Sequence, residues 1–426
     1  MHDNSVSSLE ITKGPVSGVS GWVQGRVGDL LVGLESGVSV NGEDRELAPN
    51  EVGVLKISSV TYGIFNPNAV KAVIPGEVGR VRTQPKAGQI IISRSNTEEL
   101  VGASAFIFED HPNLYLPDKL WQTIPADNAD MRWLSYCLSS SKTRYTLSRL
   151  ATGTSGSMKN ITQDELLSLK IEIPPLPEQK KIAEILSTWD DAIAANEDLL
   201  ANSRQRKKAL MQQLLTGKKR LPGFGGQWQE MRLKECGAIY SGGTPDTATA
   251  QYWDGDINWL TPTDVTALKG RFTHKTVRQI SESGLMNSSA KLLPPGSVMV
   301  CTRATVGEVA MAAEPICTNQ GFKSIVPNSD TSSEFLFYLL SSSKGKMLRL
   351  SSGSTFLELS KKDFDNMEFG FPEVKEQKAI ASVLSTADEE IEALEQRINN
   401  LKLQKKALMQ QLLTGKKRVA VESAAA

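Results

Sequence analysis

The string KKALMQQLLTGKKR occurs twice in this chain, at Lys207–Arg220 and at Lys405–Arg418. The two copies lie 198 residues apart, and the same offset aligns the stretch from Glu178 to Ile193 with the stretch from Glu376 to Ile391 without a gap. Repeat units of solenoid proteins are only about 20–50 residues long. A period this long is therefore a whole domain plus a long connecting segment, and the sequence predicts a tandem repeat of two such units.

Each copy of the repeat contains a stretch typical of one long helix, roughly Glu178–Thr216 and Glu376–Thr414, with no internal proline or glycine. Gly217 and Gly415 follow at the position where a left-handed helix cap belongs. Apolar residues recur at alternating spacings of four and three over about four heptads, which predicts a coiled coil. One helix leads out of the first domain and the other out of the second, so if they pair they must be antiparallel. Two separate helices, each packed on its own domain, are the alternative.

The rest of the chain consists of short Val/Ile-rich runs broken by Gly, Pro and Asn, which is typical of mixed sheets with long loops. The predicted fold is α+β: two mixed α/β domains separated by a pair of long antiparallel coiled-coil helices, as a pseudo-twofold tandem repeat. The two domains share few residues outside the repeat, which predicts a shared fold with different surfaces. The predicted boundaries are 1–157 for the first domain, 158–221 for its spacer region, 222–354 for the second domain, 355–418 for its spacer region, and 419–426 for a disordered tail.

Composition limits the class of protein. Lys plus Arg and Asp plus Glu each number 48, so a protein that grips DNA by charge alone is not indicated, and DNA binding requires segregated charge or help from a partner. No run of about 18 apolar residues is present, and the polar N-terminus has no secretory signal, so neither a membrane span nor export is expected. The four cysteines follow no pairing pattern, which is typical of free thiols in the cytoplasm and not of a zinc site.

No catalytic motif stands out. The chain has no phosphate-binding G-x-x-x-x-G-K-[ST] loop, no H-E-x-x-H metal site and no methyltransferase-type Asn/Asp-Pro-Pro-aromatic loop. Its three histidines, His2, His111 and His274, form no cluster of ligands. A nuclease built from scattered carboxylates has no fixed signature and stays open. We expect a chain that is not an enzyme and that has no metal or cofactor of its own.

Along nearly its whole length the chain resembles the specificity subunit of Type I restriction-modification enzymes. The resemblance is carried by the P-x-x-E-Q-K-x-I-A-x-x-L-S-T-x-D run from Pro175 to Asp190, by the two KKALMQQLLTGKKR segments, and by the W…SGGTP…W…GDI-W-L opening from Trp228 to Leu260. The first domain departs from that opening, with Gly-Leu-Glu-Ser-Gly at Gly33 to Gly37 in place of the Ser-Gly-Gly-Thr-Pro at Ser241 to Pro245.

The resemblance implies a function. In that family the repeated helices are conserved spacer regions that dock modification subunits, and each intervening target recognition domain reads one half of a split, asymmetric DNA site. The partners implied are double-stranded DNA, two modification (methyltransferase) subunits, and restriction/translocase subunits. S-adenosylmethionine, ATP and Mg are then expected in those partners. The alternative is a protein-interaction adaptor that does not read DNA directly.

Base edges are read by side chains with directional hydrogen bonds, above all Arg, Asn, Gln, Ser and Thr. Arg94 and Arg303 are interpreted as the best readers because they occupy comparable places after matched strands. Trp22 and Trp228 are expected in the core. The candidate DNA-binding residues are Lys56, Ser58, Ser59, Arg80, Arg82, Arg94 and Asn96 in the first domain and Thr244, Thr261, Thr263, Asp264, Arg271, Lys275, Arg303, Asn319, Gln320 and Lys323 in the second.

Overall fold

The computed structural model describes residues 11–13, 21–155, 158–353 and 357–420. These form two compact units, the first from the described parts of Met1–Ala195 and Ile398–Ala426 and the second from Asn196–Arg397. The division falls inside both long helices, so each unit contains one part of each helix. The predicted boundaries at 157 and 354, and all but the first two residues of the predicted tail, lie outside the described residues.

The first unit is built mainly from short strands and three short helices. Its strands are β1 (Ile11–Lys13), β2 (Val23–Arg26), β3 (Leu31–Ser36), β4 (Gly42–Glu43), β5 (Gly53–Leu55), β6 (Val60–Thr61), β7 (Ile64–Phe65), β8 (Val70–Val73), β9 (Ile90–Ser93), β10 (Ser95–Asn96), β11 (Ser104–Phe106), β12 (Leu114–Tyr115), β13 (Leu120–Pro125), β14 (Thr152–Ser155), β15 (Met158–Asn160) and β16 (Lys170–Ile173). Its helices are α1 (Met131–Ser139), α2 (Ser141–Leu150), α3 (Gln163–Leu167) and the beginning of α4 (Leu176–Leu214).

The sheet in the order β11-β9-β13-β3 is antiparallel and forms the centre of the first unit. Its strand β9 has both faces buried: Ile90 and Ile92 pack in the cluster that includes α1, and Ile91 packs in the cluster beneath the second sheet, β12-β5-β8-β4. This explains why β9 reads as a continuous apolar run instead of an alternating one. The sheet fixes where the loops after β3 and β9 leave the unit.

The second unit contains a similar set of elements. Its strands are β17 (Gln229–Arg232), β18 (Gly237–Ser241), β19 (Trp253–Leu260), β20 (Phe272–Thr273), β21 (Gln279–Ile280), β22 (Val298–Cys301), β23 (Val309–Ala312), β24 (Ile316–Thr318), β25 (Phe322–Pro327) and β26 (Glu368–Phe371). Its helices are α5 (Pro262–Ala267), α6 (Glu282–Met286), α7 (Ser333–Ser342), α8 (Lys344–Leu350), α9 (Lys361–Asp365) and the beginning of α10 (Val374–Leu412), which is followed in the first unit by β27 (Lys417–Val419).

The central sheet of the second unit runs β18-β25-β22-β23-β20, and a smaller sheet runs β21-β19-β24. The strands β25 and β22 of this sheet correspond to β13 and β9 of the first unit, because each pair is antiparallel and is followed by a helix of similar length. Helix α7 packs Phe335 and Leu336 into the core against Val298 and Val300. The two units therefore share a central motif, as the repeat predicts.

The two long helices are each 39 residues long, and each begins and ends two residues before its predicted bounds. Gly217 and Gly415 both have φ of +67°, the left-handed cap conformation that glycine adopts most easily. In the second unit Lys207 pairs with Asp388 and Arg204 with Glu395, so residue numbers rise along one helix as they fall along the other. The helices are antiparallel within the unit, as predicted.

In each unit the repeated Glu-Gln pair connects the start of one long helix to the segment that follows the other. Glu178, only 2% exposed, accepts two hydrogen bonds from Arg418, of 2.7 and 2.8 Å, and one of 2.9 Å from the Trp22 indole. In the second unit Glu376 accepts from Arg220, at 2.6 and 2.5 Å. We call these two ion pairs the Glu–Arg locks. They explain why the repeat needs both the Glu-Gln and the Gly-Lys-Lys-Arg elements, since each lock takes one residue from each element.

The neighbouring glutamine binds backbone. The side-chain oxygen of Gln179 accepts from the Asp130 backbone N–H at 2.8 Å, and that of Gln377 accepts from the Ser332 N–H at 2.8 Å. Asp130 and Ser332 are the N-caps of α1 and α7. Each glutamine thus fixes the start of a helix that packs on the central sheet.

A second repeated contact is formed by Tyr, Asp and Lys. The Tyr136 hydroxyl donates to Asp190 at 2.6 Å, and Asp190 also pairs with Lys405. In the second unit Tyr338 donates to Asp388 at 2.6 Å. Burial and the adjacent carboxylate raise the pKa of both tyrosines well above the usual range. Both hydroxyls therefore remain neutral donors at any physiological pH.

Candidate nucleic-acid interface

In the first unit, loops leave three adjacent strands at one edge of the central sheet. β3 ends at Ser36 opposite Trp121, and β9 ends at Ser93 opposite Leu120. We call this edge, with the loop residues 36–41, 80–83, 93–96 and 116–120, the first loop end. Long loops carried on a rigid sheet are where binding residues are most often found.

Asp118 organises the first loop end. Its carboxylate accepts from the Ser39 hydroxyl and, at 3.4 Å, from the Arg94 guanidinium, and its backbone carbonyl accepts from Arg94 at 2.9 Å. We call the Ser39–Asp118 hydrogen bond the first clasp. Because Arg94 is half-buried and its donors are partly used by Asp118, it is held in place at this edge with a restricted set of rotamers.

Thr83 holds another loop against the first loop end. Its φ of +56° is unfavourable for a β-branched residue. Its hydroxyl donates to the Ser36 carbonyl at 3.1 Å, and its own carbonyl accepts from the Leu116 N–H at 3.0 Å. These contacts hold the strained residue and fix its exposed neighbour Arg82 beside the turn after β3.

Of the seven candidate residues in the first unit, four lie at the first loop end: Arg80, Arg82, Arg94 and Asn96. Arg80 is exposed and pairs with Glu77 at 3.0 Å, on a turn that is fixed to Asn41 of the loop end by two hydrogen bonds of 2.8 Å. The other three lie in the turn between β5 and β6. Lys56 is paired with Asp44, Ser58 is exposed and Ser59 is fully buried.

The second unit has an equivalent edge. β18 ends at Ser241 opposite Lys323, and β22 ends at Cys301 opposite Phe322. We call this edge, with the loop residues 242–245, 261–264, 302–305 and 319–321, the second loop end. The Thr244 hydroxyl donates to the side-chain oxygen of Gln320, which forms the second clasp. It stands where the first unit has Ser39 and Asp118.

Helix α5 adds a further wall to the second loop end. Thr261 is the N-cap of the helix, and the Asp264 carboxylate accepts from the Thr261 N–H at 2.8 Å and from the Thr261 hydroxyl. The other oxygen of Asp264 accepts from the Val277 N–H at 3.0 Å, which draws in the loop that carries Lys275. The Asn319 N–H donates to the Leu260 carbonyl at 3.0 Å. The structure thus brings these loops to one place.

Nine of the ten candidates in the second unit lie on or beside the second loop end: Thr244, Thr261, Thr263, Asp264, Lys275, Arg303, Asn319, Gln320 and Lys323. Arg271 does not. Its guanidinium faces the Tyr338 hydroxyl at 3.4 Å and the carboxylates of Glu334 and Asp388 at 3.8 Å, inside the unit. Arg271 was interpreted as a DNA reader because the sequence does not show the tertiary contacts that turn its side chain toward α7 and α10.

Arg94 and Arg303 do not occupy equivalent places. Asn160 and Glu358 are the same position of the repeat, and they pair with Ser95 and Arg303 respectively. Arg303 therefore corresponds to Ser95, one residue beyond Arg94. Since neighbouring residues of a strand point to opposite faces, the two arginines face different ways.

The turns after β3 and β18 both depend on glycine. A Cβ atom at Gly37 would lie 1.6 Å from the Leu116 carbonyl oxygen, and one at Gly242 would lie 1.8 Å from the Asn319 carbonyl oxygen. The close approach is to the unit's own backbone. The first glycine of the Ser-Gly-Gly-Thr-Pro segment therefore has a packing role.

Sequence reasoning missed several residues here. Ser39, Asp118 and Gly37 had no motif of their own, although the matching Ser-Gly of the second domain could have located them. Arg278 was also missed: its guanidinium lies 3.7 Å from the centroid of Trp253, which packs edge-on against Trp259 at 5.0 Å. The aromatic-rich opening of the second domain is the one signal that could have pointed to it.

Within the described ranges, no group of three or more His, Cys, Asp or Glu side chains is placed to hold a metal ion. None of the helices in those ranges is both long and apolar enough to cross a membrane. Trp22 is buried as expected, and Trp228 is partly buried against Phe335 at a centroid distance of 6.3 Å. All four cysteines are buried free thiols.

Comparison with known proteins identifies the family. A model of the Type I restriction modification DNA specificity domain matches residues 20–202 and 226–403. The specificity subunit of the Type I restriction enzyme MjaIX from Methanocaldococcus jannaschii is 36% identical over 167 residues, and the alignment spans 39% of this chain and 39% of that protein. The protein named as the MjaX specificity subunit of the same organism is 26% identical over 412 residues, which are 93% of this chain and 94% of the relative.

Solved structures agree on the fold. A chain from a type I restriction-modification system, solved for its complex assembly and conformational transition, has a TM-score of 0.60 at 20% identity and covers 93% of this chain and 98% of itself. The S subunit from M. genitalium has a TM-score of 0.56 at 15% identity, with 92% and 96% covered. The predicted fold class and the predicted family are both confirmed.

Proposed function

Because this chain belongs to the family of Type I restriction-modification DNA specificity domains and is a non-catalytic specificity subunit, we propose that each of its two units reads one half of a bipartite, asymmetric DNA site. The observation that carries the proposal is the pair of loop ends. The same frame of strands, glycine turn and clasp presents different side chains in the two units, with Asp118 in the first clasp and Gln320 in the second. Two unlike readers on one frame suit two unlike half-sites.

The side chains at the loop ends fit direct readout of bases. Exposed Arg82 and half-buried Arg94 and Asn96 lie at the first loop end, where Arg94 also binds Asp118 and the Asn96 amide also binds Ser93 and Thr97. Guanine is read by arginine and adenine by asparagine or glutamine, in each case through two hydrogen bonds in the major groove. At the second loop end the exposed readers are Arg303 and Gln320. The residues that surround them position the loops.

We propose further that two modification (methyltransferase) subunits dock on the repeated segments. In the first unit a groove of about 970 Å³ is lined by Leu413 and Thr414 of the repeated string and by Ser140. In the second unit a groove of about 450 Å³ is lined by Leu215, Thr216 and Ser342, which include the same two positions of the string. Since residues at equivalent positions of the repeat line both grooves, two copies of one partner would contact similar surfaces.

A matched pair of variants tests the docking. Thr216 and Thr414 are both exposed at the groove edge, so arginine there blocks the surface without disturbing the core. We expect Thr216→Arg and Thr414→Arg each to leave one modification subunit bound and the double variant to leave none, as measured by native mass spectrometry of the complex. Two bound subunits in the double variant would place docking elsewhere.

The helices are proposed to set the gap between half-sites. Each is 39 residues long and free of interior proline or glycine. One heptad of helix is about 10.5 Å, close to three base pairs at the roughly 3.4 Å rise of a DNA strand. Deleting matched heptads from both helices should therefore shorten the gap by about three base pairs, and an unchanged gap would contradict this role.

The proposal leaves chemistry to the partners. S-adenosylmethionine, ATP and Mg would be bound by modification and restriction/translocase subunits in the cytoplasm. The balance of 48 basic and 48 acidic residues supports this division, because an assembled complex can supply the phosphate contacts that a neutral chain lacks. We expect weak, salt-sensitive DNA binding by the isolated chain and tight binding by the complex.

The experiment that tests the function is co-expression with a modification subunit, followed by mapping of methylated adenines in the host DNA. A single split motif with a fixed gap is the expected result. Methylation without a split motif, or a stable complex without methylation, would favour a protein-interaction adaptor that does not read DNA.

A further inference from the structure

Lys323 is the second residue of β25 and lies at the second loop end. It is only 8% exposed, and among the described residues its ammonium makes no hydrogen bond and no ion pair within 4.0 Å. Burial lowers the pKa of the Lys323 ammonium. Lysine is almost never buried without a partner, because taking an ammonium out of water is unfavourable.

The charged groups around Lys323 leave its charge unbalanced. Its electrostatic neighbours are Glu358, Lys361 and Asp365. Glu358 is already paired with Arg303 at 3.5 Å, and Asp365 with Lys361. Both carboxylates therefore have a cation of their own. Three cations face two carboxylates, and the group lacks one negative charge.

The ammonium itself is not sealed in. Nζ of Lys323 keeps some accessible surface, although the rest of the side chain is buried. Long cationic side chains commonly bury their methylenes and keep the charged end at the surface. The methylene groups of Lys323 are therefore packed in the protein, and its ammonium can still contact a ligand.

The fold does not require a cation at this position. In the first unit Trp121 stands opposite Ser36 as Lys323 stands opposite Ser241, and it is 3% exposed within the apolar core. An apolar side chain therefore suits this place in the sheet. The lysine of the second unit has to be explained by something other than packing.

We propose that Lys323 binds one phosphodiester group of the DNA at the second half-site, an inference that rests on the proposed function. One phosphodiester supplies the single negative charge that the cluster of Arg303, Lys323 and Lys361 lacks. Lysine binds phosphate as a compact point charge, whereas arginine is favoured where a fork of donors is needed. Contacts of this kind position the protein on DNA without reading its sequence.

The test uses the complete complex with co-expressed modification subunits, a labelled duplex containing the mapped site, and a scrambled duplex. Lys323→Met keeps the length of the side chain and removes its charge. Lys234→Met is the matched control, since Lys234 is exposed in the short turn that precedes β18, at the opposite end of that strand from Ser241. Affinity is measured by fluorescence anisotropy over a range of salt, and folding by thermal denaturation.

We expect Lys323→Met to fold as stably as the wild type or more so, and to bind both duplexes about tenfold more weakly. The slope of log affinity against log salt should fall by about 0.9, the value for one phosphate contact. The methylated motif should stay the same, and Lys234→Met should behave as the wild type. If Lys323→Met does not fold, Lys323→Gln is measured in the same way.

Three results would overturn the proposal. Unchanged affinity and salt slope would make Lys323 a structural lysine held by water. Relaxed specificity at one base pair with an unchanged slope would make it a base reader. A wild-type complex that binds no DNA would refute the proposed function together with this inference, whereas either of the first two results with a wild-type complex that binds the split site refutes this inference alone.

Discussion

The two units are most alike at the repeated helices and least alike at the loop ends. The Glu–Arg locks, at Glu178 and Glu376, use the same residue types at the same repeat positions. At the loop ends, by contrast, Trp121 stands where the other unit has Lys323, and Asp118 where it has Gln320. The helices and locks provide a constant frame, and the loop ends carry the differences that can distinguish two DNA half-sites.

The locks themselves are not identical. Glu178 also accepts the Trp22 indole N–H, whereas the indole N–H of Trp228 has no hydrogen-bond partner in the part of the chain that the structure describes. A buried carboxylate that holds two donors loses more when removed than one that holds a single donor. Removal of Glu178 therefore breaks one more side-chain contact than removal of Glu376.

The largest predicted effect comes from breaking the first lock. Glu178→Ala removes the buried carboxylate that accepts from both the Trp22 indole and the Arg418 guanidinium, which should lower the free energy of unfolding by about 3–5 kcal/mol. Glu376→Ala should lower it by less, because it removes no indole contact. Urea denaturation of both variants checks the order. A larger loss for Glu376→Ala would contradict the difference between the locks.

Substitutions in the glycine turns should have the next largest effect, and each should affect the reading of one half-site only. Gly37→Ala and Gly242→Ala each bring a methyl group against a carbonyl oxygen, an overpacking that costs about 1–3 kcal/mol. We expect Gly37→Ala to abolish reading of one half of the methylated motif and Gly242→Ala that of the other. Gly76→Ala is the control, because its Cβ has no atom within 4 Å. Loss of both halves in either single variant would show that the units do not read independently.

The clasps should contribute about 1 kcal/mol each, the usual value of one hydrogen bond. Ser39→Ala removes the first clasp and Thr244→Val the second, with little change in shape. Each variant should weaken binding of the complex to a duplex with its own half-site intact and the other scrambled, by about fivefold. Equal weakening for both half-sites in one variant would argue against local positioning of the loops.

The smallest predicted difference between the two units is in their stability at alkaline pH, and it arises from their buried cysteines. Burial raises the pKa of Cys236 and Cys301 to about 12 and that of Cys317 to about 11, and it also raises the pKa of Cys137. The folded state holds these protons more tightly than the unfolded state, so the stability they support is complete below pH 9 and declines as the pH rises from 9 toward 11–12.

Three of these thiols lie in the second unit and one in the first, so the second unit should lose stability faster in alkali. Pulse alkylation with iodoacetamide, followed by mass spectrometry of the peptides, measures this at pH 8 and pH 10. All four thiols should be protected at pH 8. At pH 10 the three in the second unit should be labelled before Cys137, and the reverse order would contradict the assignment.

Much of the frame could be predicted from local patterns. The long helices, their glycine caps and their antiparallel pairing follow from the heptad spacing and from an exact repeat, since helix propensity and capping depend on residues close in sequence. The grouping of Thr261 and Asp264 could also be anticipated, because a capping box joins residues three apart. Arg271 could not, since only the fold brings Tyr338 and Asp388 to it.

The equivalence of Arg94 and Arg303 failed for a related reason. Both follow a strand, but strand pairing places Ser95, not Arg94, at the position of Arg303. A shift of one residue turns a side chain to the other face of the sheet, and the sequence contains no local signal that distinguishes the two registers.

The sequence by itself determined the tandem repeat, the two long helices and the membership of the family, because these rest on identical strings and on periodicities that act over a few residues. Only the tertiary structure decided which loops share an edge, which glutamate meets which arginine, and that Lys323 is buried with no hydrogen-bond or ion-pair partner among the described residues. Those contacts join residues tens to hundreds of positions apart, and they depend on strand register and packing in three dimensions.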